Sequence, residues 1–316
     1  MAEKIALIGT GVIGRGWATV FARAGRDVVL FDADEKTRSD APDAVGKIIA
    51  LLDGVEAPLS PRRGTISTVP SLEAAVDGAD WIQESIPERL AIKREMFERI
   101  DRLAAPHAVL SSSCSAFRPS DFLTELSSSA RCIIAHPFNP PYLLRLVELV
   151  PSPQTAPETV AQALQVLRAV GQKPIVVAKE IFGFAGNRLQ FAVVNEAMHL
   201  VAEGVVTPEE ADLCLTEALG LRWAFLGPLE TMDLNAPGGF AEYAAKYRHS
   251  YEEGGRDLGV ARPWTEAAVA QVTAWRRRVV PERQLPERQG FRDAMLARLR
   301  GVVADAHSHT KDEQAP

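Results

Sequence analysis

The sequence predicts an α/β protein in which a doubly wound sheet is followed by an all-helical domain, and three observations predict it. Short apolar runs alternate with helical stretches up to about residue 178, as in sheets built from βαβ units. A glycine-rich turn joins the first apolar run to the first helix. Beyond that region no convincing strand pattern recurs, and the apolar residues follow helical spacing.

The N-terminal part begins with a βαβ unit. Residues 4–9 form a short apolar run, the segment after Gly14 is helical, and Gly25 ends that helix. Residues 27–32 then form a second buried strand, and this order within about 30 residues is typical of parallel sheets. Further strands are predicted at residues 81–86, 108–113, 131–136, 146–150 and 174–178, with helices at 92–103 and 157–170.

The C-terminal part is predicted to be helical. Residues 183–203 carry apolar side chains at spacings of three and four, which marks one face of a long helix. Gly204 ends that helix. A new helix begins at Thr207, a natural N-cap, with Pro208 in the first turn and Glu210 completing a capping box.

The length of the chain agrees with two domains. A chain of 316 residues exceeds the roughly 100–200 residues of one ordinary domain. We expect a sheet domain at residues 1–182, a helical domain at 183–304, and a polar, disordered tail at 305–316.

Composition and charge exclude several classes of function. The formal net charge of −6 argues against a nucleic-acid partner, and no apolar run is long enough to cross a bilayer. The N-terminus lacks the pattern of a signal peptide. The three cysteines have irregular spacing and no CxxC, which favours a reducing, cytoplasmic location and argues against a metal site.

A dinucleotide site is predicted at the glycine-rich turn. The turn reads Gly9-Thr10-Gly11-Val12-Ile13-Gly14, the GxGxxG pattern, and it lies between a strand and a helix as a Rossmann-type fold requires. The first glycine permits the tight turn, the second lets the backbone approach a pyrophosphate, and the third allows close packing. The alternative is a tight strand–helix turn without a ligand.

An acid at the end of the second strand predicts which dinucleotide is bound. Asp32 follows Gly14 by 18 residues, where a carboxylate accepts a hydrogen bond from a ribose hydroxyl and repels a 2′-phosphate. The expected cofactor is therefore NAD rather than NADP. Lys36 and Arg38 lie nearby in the sequence and would weaken that preference.

A histidine and a glutamate form the candidate catalytic pair. His136 ends an apolar strand and opens a proline-rich turn, and ligands in open α/β sheets bind beyond the carboxyl ends of strands. Glu148 interrupts the apolar run 146–150, where a carboxylate is costly to bury unless it is paired. Together they would provide a base for removing an alcohol proton as a hydride leaves. The alternative places His136 in an ordinary loop and Glu148 in solvent.

Two further polar residues and one cysteine lie close to these segments. Ser115 ends a serine cluster after a predicted strand, where it either serves the site or caps a helix. Asn187 lies near the start of the long helix, and asparagine is unfavourable inside helices, so we expect its side chain to have a polar partner. Cys114 has no partner that suggests a nucleophile and is interpreted as a small buried residue.

Several motifs together resemble the 3-hydroxyacyl-CoA dehydrogenase family, and within it the lambda-crystallin branch, whose members are L-gulonate 3-dehydrogenases. The resemblance covers residues 4 to about 250. The motifs are the glycine turn, residues 84–90 (ESIPERL) with Lys93, the serine cluster 111–115, residues 136–140 (HPFNP), residues 146–150, residues 183–189 (GFAGNRL) and residues 220–232 (GLRWAFLGPLETM).

The resemblance implies roles for individual residues. His136 would be the general base and Glu148 its orienting partner, while Ser115 and Asn187 would surround the reacting hydroxyl. The residues implied at the NAD are Asp32, Glu88, Lys93, Ser115 and Asn139, together with the glycine turn. Family members are homodimers joined through the helical domain, which is carried over only as an analogy.

Arg222 favours a free hydroxy acid as substrate. A guanidinium in the cleft would bind a small carboxylate with two parallel hydrogen bonds, and the acyl-CoA enzymes of the family generally lack this arginine. The expected reaction is NAD-dependent oxidation of the 3-hydroxyl of L-gulonate or a close 3-hydroxy acid. Alternatives are a surface ion pair for Arg222, a 3-hydroxyacyl-CoA or acyl-carrier dehydrogenase, and a non-catalytic, crystallin-like NAD-binding protein.

Overall fold

Eight strands form one sheet in the computed structural model, in the order β3-β2-β1-β4-β5-β6-β7-β8. The structure describes residues 4–259 and 264–312, with side chains described up to residue 303. The strands are β1 (Lys4–Ile8), β2 (Asp27–Phe31), β3 (Ile66–Thr68), β4 (Trp81–Glu84), β5 (Val109–Ser112), β6 (Cys132–Pro137), β7 (Leu146–Pro151) and β8 (Lys173–Val176). The chain turns back at β1, whose neighbours are β2 and β4, so the predicted doubly wound sheet is confirmed.

Five α-helices connect the strands, and two short 3-10 helices lie between β5 and β6. The α-helices are α1 (Val12–Arg23), α2 (Glu35–Asp53), α3 (Leu72–Val76), α4 (Leu90–Leu103) and α5 (Pro157–Ala169). The sheet is buried on both faces because alternate residues of each strand enter different cores. In β1, Ile5 and Leu7 belong to one apolar cluster while Ala6 and Ile8 belong to the other. This two-sided burial explains why the strands read as continuous apolar runs.

Each of the seven predicted strands is present, but two features differ from the sequence prediction. Strand β3 was not predicted, because it has only three residues, lies at the edge of the sheet and is largely exposed. Strand β7 runs antiparallel to β6. The connection between Pro137 and Leu146 is too short for a crossover, which needs a dozen or more residues, so β7 must return beside β6.

The chain divides into two compact units between Arg188 and Leu189. In the part of the chain that the structure describes, seven α-helices follow β8: α6 (Gly186–Ala202), α7 (Pro208–Cys214), α8 (Gly220–Trp223), α9 (Pro228–Asp233), α10 (Gly239–Leu258), α11 (Glu266–Val279) and α12 (Leu285–Asp312). A π-helical segment lies at Leu215–Leu219 and a 3-10 turn at Glu282–Gln284. Among the described residues of the second unit there is no strand, as predicted. The predicted capping box of α7 is present, since Thr207 and Glu210 exchange hydrogen bonds.

The end of the chain departs in part from the sequence prediction. Helix α12 continues to Asp312, so the predicted disordered tail is helical from residue 305 to 312. The remaining residues, 313–316, lie outside the described residues. No helix in the described part of the chain combines the length and the apolar character that a membrane span requires.

Candidate active site

The glycine-rich turn crosses the carboxyl edge of the sheet between β1 and α1. Gly9 has a φ of +93°, and a Cβ there would lie 2.6 Å from the carbonyl oxygen of Ser85. A Cβ at Gly14 would lie 1.9 Å from the carbonyl oxygen of Gly9. Both positions therefore require glycine. At Gly11 a Cβ would meet no atom within 4 Å, so this part of the turn faces open space.

The N-terminus of α1 is open to a ligand. Gly11 is the N-cap and has no side chain that could accept from the first N–H groups of the helix. Unpaired N–H groups and the helix dipole favour an anion at this place. The turn thus has the local geometry that a pyrophosphate needs.

Asp32 stands beside the turn at the end of β2. Its carboxylate accepts hydrogen bonds from the backbone N–H groups of Thr10 (2.7 Å) and Asp34 (3.0 Å). Arg38 donates to the main-chain carbonyl of Asp32 at 2.7 Å rather than to its carboxylate. The carboxylate is therefore fixed in place beside the turn, and the guanidinium of Arg38 does not pair with it.

A cleft of about 600 Å³ connects the turn with the ends of β2 and β4. Its lining includes five of the predicted cofactor residues: Gly9, Gly11, Val12, Ile13 and Asp32. Ser85 and Ile86, which follow β4, also line this cleft. The open glycine turn, the uncapped helix and the fixed acid together fit a dinucleotide, and these are the residues that would hold it.

His136 and Glu148 form a buried pair at the same edge of the sheet. The two residues face each other in the antiparallel register of β6 and β7. His136 Nδ1 lies 2.9 Å from Glu148 Oε2. The side chain of Glu148 is fully buried, and that of His136 is 6% exposed. The predicted pairing is confirmed in its geometry, and the alternative of a solvent-facing Glu148 is excluded.

The second oxygen of Glu148 holds the start of α6. Oε1 accepts hydrogen bonds from the N–H groups of Ala185 (2.8 Å) and Gly186 (2.9 Å). Burial by itself would raise the pKa of Glu148, but the hydrogen bonds from His136, Gly186 and Ala185 lower it below its usual value. Glu148 is therefore an anion at neutral pH, with both oxygens used as acceptors.

The anionic partner determines the tautomer of His136. A carboxylate only accepts hydrogen bonds, so the proton of a neutral imidazole must lie on Nδ1. Nε2 then carries a lone pair, and it makes no hydrogen bond within the described residues. The rings of Phe138 and Phe184 pack on the imidazole, with centroids 5.0 Å and 5.6 Å away. This arrangement can accept a proton at Nε2, as a general base requires.

Asn187 and Ser115 are linked across two segments. The side chain of Asn187 in the first turn of α6 donates to the carbonyl oxygen of Ser115 at 2.8 Å, which is the polar partner expected from the sequence. Glu88 Oε1 accepts from the N–H groups of Ser115 (2.8 Å) and Ala116 (3.2 Å). Glu88 and Asn187 thus hold the serine segment from opposite sides. In the described structure no hydrogen bond joins this group directly to His136.

A second buried ion pair, which was not predicted, supports this segment. Lys93 is 1% exposed, and its Nζ lies 2.9 Å and 3.1 Å from the two oxygens of Glu84, a fully buried acid at the end of β4. Glu88 Oε2 is a further 3.4 Å neighbour of the same ammonium. The sequence did contain a signal for a buried pair at Glu84, because this acid ends a buried strand just as Glu148 interrupts an apolar one. A direct contact of Lys93 or Glu88 with NAD stays a prediction.

The remaining candidates are placed as follows. Cys114 is buried, and burial with its hydrogen bond to Glu88 raises its thiol pKa to about 12, so it is not a nucleophile. Asn139 is exposed and precedes a cis peptide bond to Pro140. Arg222 lies on α8 in the second unit, and its substrate role stays a prediction. No cluster of potential metal ligands occurs within the residues that the structure describes.

A doubly wound sheet with an open glycine turn, an acid at the end of β2 and a buried His–Glu pair defines a dinucleotide-dependent dehydrogenase. The family model of the 3-hydroxyacyl-CoA dehydrogenase NAD binding domain matches residues 4–181, and that of the C-terminal domain matches residues 183–272. The chain therefore belongs to the 3-hydroxyacyl-CoA dehydrogenase family. It is an NAD-dependent oxidoreductase acting on CH–OH groups, and the predicted family and cofactor are confirmed.

Full-length relatives fall into more than one group. The lambda-crystallin homolog of Bos taurus is 42% identical over 306 residues, covering 93% of this chain and 94% of that protein. The L-carnitine dehydrogenase of Burkholderia mallei is 41% identical over 273 residues, covering 86% and 82%. Among solved structures, 5-formyl-3-hydroxy-2-methylpyridine 4-carboxylic acid 5-dehydrogenase, an NAD⁺ dependent dismutase, superposes with a TM-score of 0.85 at 28% identity. The match covers 96% of this chain and 99% of that enzyme.

Proposed function

We propose that this protein oxidises the 3-hydroxyl of a small, free hydroxy acid, and that L-gulonate, converted to 3-dehydro-L-gulonate, is its substrate. The observation that carries the chemistry is the 2.9 Å contact between His136 Nδ1 and Glu148 Oε2. The similarity to lambda-crystallins over nearly the whole chain supports the choice of substrate.

The proton of the substrate hydroxyl passes to His136 Nε2. Bound NAD would supply the acceptor for the hydride that leaves the same carbon. The Glu148 carboxylate stabilises the imidazolium that forms and keeps the ring in one orientation. Because Glu148 also holds the N–H groups of Ala185 and Gly186, proton transfer occurs without rearrangement of its own hydrogen bonds.

Ser115 and Asn187 orient the hydroxyl that reacts. Asn187 already fixes the backbone of Ser115, so the two side chains reach the substrate as one rigid unit. Glu88 holds the same backbone from the other side. In this proposal the serine hydroxyl and the asparagine amide act on the substrate, while Glu88 positions the segment.

Arg222 is proposed to bind the carboxylate of the substrate. A bidentate guanidinium–carboxylate contact is worth several kcal/mol at most, of the order of 2–5 kcal/mol. Arg222→Ala should therefore lower kcat/KM for hydroxy acids by at least about tenfold and leave the affinity for NADH unchanged. An unchanged kcat/KM would contradict this assignment and favour an ordinary surface ion pair.

L-Carnitine is the second candidate substrate, because one L-carnitine dehydrogenase is 41% identical to this chain over 273 residues, close to the 39% over 309 residues of one lambda-crystallin homolog. Both compounds are free acids with a 3-hydroxyl. The family as a whole supports a third candidate, a 3-hydroxyacyl-CoA. Parallel assays of NADH formation with L-gulonate, L-carnitine, L-3-hydroxybutyrate and 3-hydroxybutyryl-CoA separate these candidates. A higher kcat/KM for the thioester or for L-carnitine than for L-gulonate overturns the proposed substrate.

A catalytic role distinguishes this protein from an NAD-binding storage protein. A storage role does not need a buried His–Glu pair. His136→Ala should keep the fold and the affinity for NADH while turnover of every substrate is lost. Undiminished turnover in that variant would contradict the role of His136, and absence of turnover in the wild type on every substrate would favour the storage role.

We further propose that two copies assemble through the helical unit, in a reducing compartment such as the cytosol. Several large apolar side chains of that unit are exposed in the single chain, by 46–70%: Phe225, Leu229, Leu234, Phe240, Tyr247 and Tyr251. We take these side chains as part of the interface, because large exposed apolar patches mark sites of protein association. Light scattering should give twice the chain mass; a monomer at micromolar concentration would contradict the proposal. The proposed reducing compartment is supported by the three cysteines, all of which are free.

A further inference from the structure

Ser85 occupies a place on the cofactor cleft that neither the glycine turn nor the His–Glu pair explains. It directly follows β4, and its N–H donates to the carbonyl of Ile8 at the end of β1 at 2.7 Å. The residue is half-buried and lines the cleft. Its hydroxyl lies 2.8 Å from that of Ser113, and the direction of this hydrogen bond follows from the groups behind it.

The chain of hydrogen bonds begins at a buried glutamine. Trp81 Nε1 lies 3.1 Å from Gln83 Oε1, and an indole N–H can only donate, so this amide atom is the oxygen. The opposite amide atom lies 3.3 Å from the carbonyl oxygen of Ala135, which can only accept, so it is the nitrogen. Gln83 therefore donates from Nε2 to Ser113 Oγ at 2.8 Å.

A second donor saturates Ser113. Trp17 Nε1 donates to the same Ser113 Oγ at 3.1 Å. A hydroxyl oxygen has two lone pairs and one proton, and the amide of Gln83 and the indole of Trp17 use both lone pairs. The proton of Ser113 must therefore be donated to Ser85 Oγ.

The hydroxyl of Ser85 thus accepts a hydrogen bond from Ser113, and its own proton is left for an acceptor in the cleft. Its hydroxyl makes no other hydrogen bond within the described residues. Asp32 follows β2 and Ser85 follows β4, on opposite sides of β1. A dinucleotide crosses the sheet at this reversal of strand order, so the half that lies over β4 is the one away from the adenosine.

We propose that Ser85 is a cofactor-positioning residue that donates a hydrogen bond to an oxygen of the nicotinamide-riboside half of NAD, with its proton direction set by Gln83, Trp17 and Ser113. The inference depends on NAD binding alone and holds whichever hydroxy acid is the substrate. The network gives the buried amide of Gln83 and the indole N–H of Trp17 a hydrogen-bond partner in Ser113, and it directs one hydroxyl proton into the cleft.

Binding measurements on Ser85→Ala test the proposal. We expect the Kd of NADH to rise about three- to tenfold, the effect of one lost neutral hydrogen bond, and the Kd of AMP to stay at the wild-type value. Titration calorimetry with ADP-ribose, which lacks the nicotinamide ring, shows whether the accepting oxygen lies on the ribose or on the nicotinamide carboxamide. The matched control is Ser67→Ala on β3, whose hydroxyl donates to the carbonyl of Val28 and forms no other hydrogen bond among the described residues.

Two results would overturn the proposal. The first is a Kd for NADH within twofold of the wild type. The second is an equal loss of affinity for NADH and AMP, because that pattern means that the glycine turn itself has been disturbed. Loss of the Ser113–Ser85 hydrogen bond lowers the thermal midpoint of the unliganded variant, but a structural effect of this kind acts on NADH and AMP binding alike. The difference between the two ligands therefore separates cofactor positioning from a structural role.

Discussion

His136 and Glu148 face each other across β6 and β7, and the hydrogen bond between their side chains is a direct consequence of antiparallel register. Directly opposed residues project to the same face with their Cβ atoms about 5 Å apart. A parallel return of β7 would need a crossover of a dozen or more residues. The short connection from β6 to β7 therefore builds the base and its orienting acid as one rigid hairpin.

Glu148→Gln should abolish most of the activity while leaving the fold intact. The oxygen of the new amide must stay with the N–H groups of Ala185 and Gly186, so its NH₂ group faces His136 Nδ1. Nδ1 then has to accept, the ring proton moves to Nε2, and the base is blocked. By analogy with a wrong-tautomer variant of a catalytic triad, we expect kcat to fall by about 10²-fold or more.

Steady-state kinetics with NADH detection measure this effect, and Glu98→Gln on the exposed side of α4 is the matched control. KM should change far less than kcat, because Glu148 does not contact the substrate. A kcat within threefold of the wild type would mean that Glu148 does not determine the tautomer.

Asp27 should make the stability of the sheet domain depend on pH in the acid range. The backbone N–H of Thr65 and the guanidinium of Arg62 lower the pKa of Asp27 from 3.8 to about 2. A lowered pKa contributes stability above pH 3.8 that is lost as the pH falls toward 2. Because the side chain is 42% exposed, screening limits the contribution to about 1 kcal/mol or less.

Urea unfolding of the wild type and Asp27→Asn at several pH values checks this dependence. The wild type should be more stable at pH 6, and the difference should shrink as the pH falls below 4. A difference that is constant across this range would show that the charge of Asp27 contributes nothing.

Most of the sheet was predictable from the sequence because its strands are buried on both faces and read as apolar runs. Strand β3 lacked that signal, since its three residues are mostly exposed. The antiparallel turn-back of β7 was decided by loop length rather than by strand composition. Arg222 shows a different limit: its proposed partner is the carboxylate of a substrate, and neither its helix in the structure nor the local sequence pattern identifies that group.

The candidate site was predictable where one physical conflict stood out. Glu148 was identified because a carboxylate inside an apolar strand needs a partner, and the partner was found in the one histidine at a strand end. Glu84 is likewise a carboxylate in a buried strand and is paired with Lys93. A loop and a helical turn separate the two residues in the sequence, so the strand pattern did not identify the partner. The orientation of Ser85 depends on three donors from different segments, which no local pattern reveals.

The cysteines should differ sharply in their reactivity. Burial raises the thiol pKa of Cys114 to about 12 and that of Cys132 to about 11, whereas Cys214 is exposed on α7. Thiolates are the species that react. Iodoacetamide at pH 8 should therefore modify Cys214 alone, as peptide mass spectrometry of the folded protein can show. Modification of Cys114 at a comparable rate would mean that the serine segment opens readily.

Asp32 should determine the preference for NAD over NADP. Its carboxylate is held beside the turn by Thr10 and Asp34, and it repels a 2′-phosphate. Asp32→Asn removes the charge while Arg38 stays nearby to pair with the phosphate. We expect the ratio of kcat/KM for NAD to that for NADP to fall about tenfold or more, the size of one lost charge contact. Asp40→Asn, an exposed acid of α2, is the control. An unchanged ratio would assign selectivity to other residues.

Replacing the buried Lys93 should destabilise the protein more than replacing an exposed lysine would. Lys93→Met leaves the fully buried carboxylate of Glu84 without its counter-ion, and breaking a buried pair in this way costs about 3–5 kcal/mol. Ser112 and the N–H of Ile86 still donate to Glu84, which places the expected loss at the lower end. The double variant Glu84→Gln with Lys93→Met should recover part of it, because no charge is then left unpaired. Urea unfolding of the wild type, both single variants and the double variant closes the cycle. Additive losses in the double variant would contradict the pairing, and the exposed variant Lys47→Met supplies the surface reference.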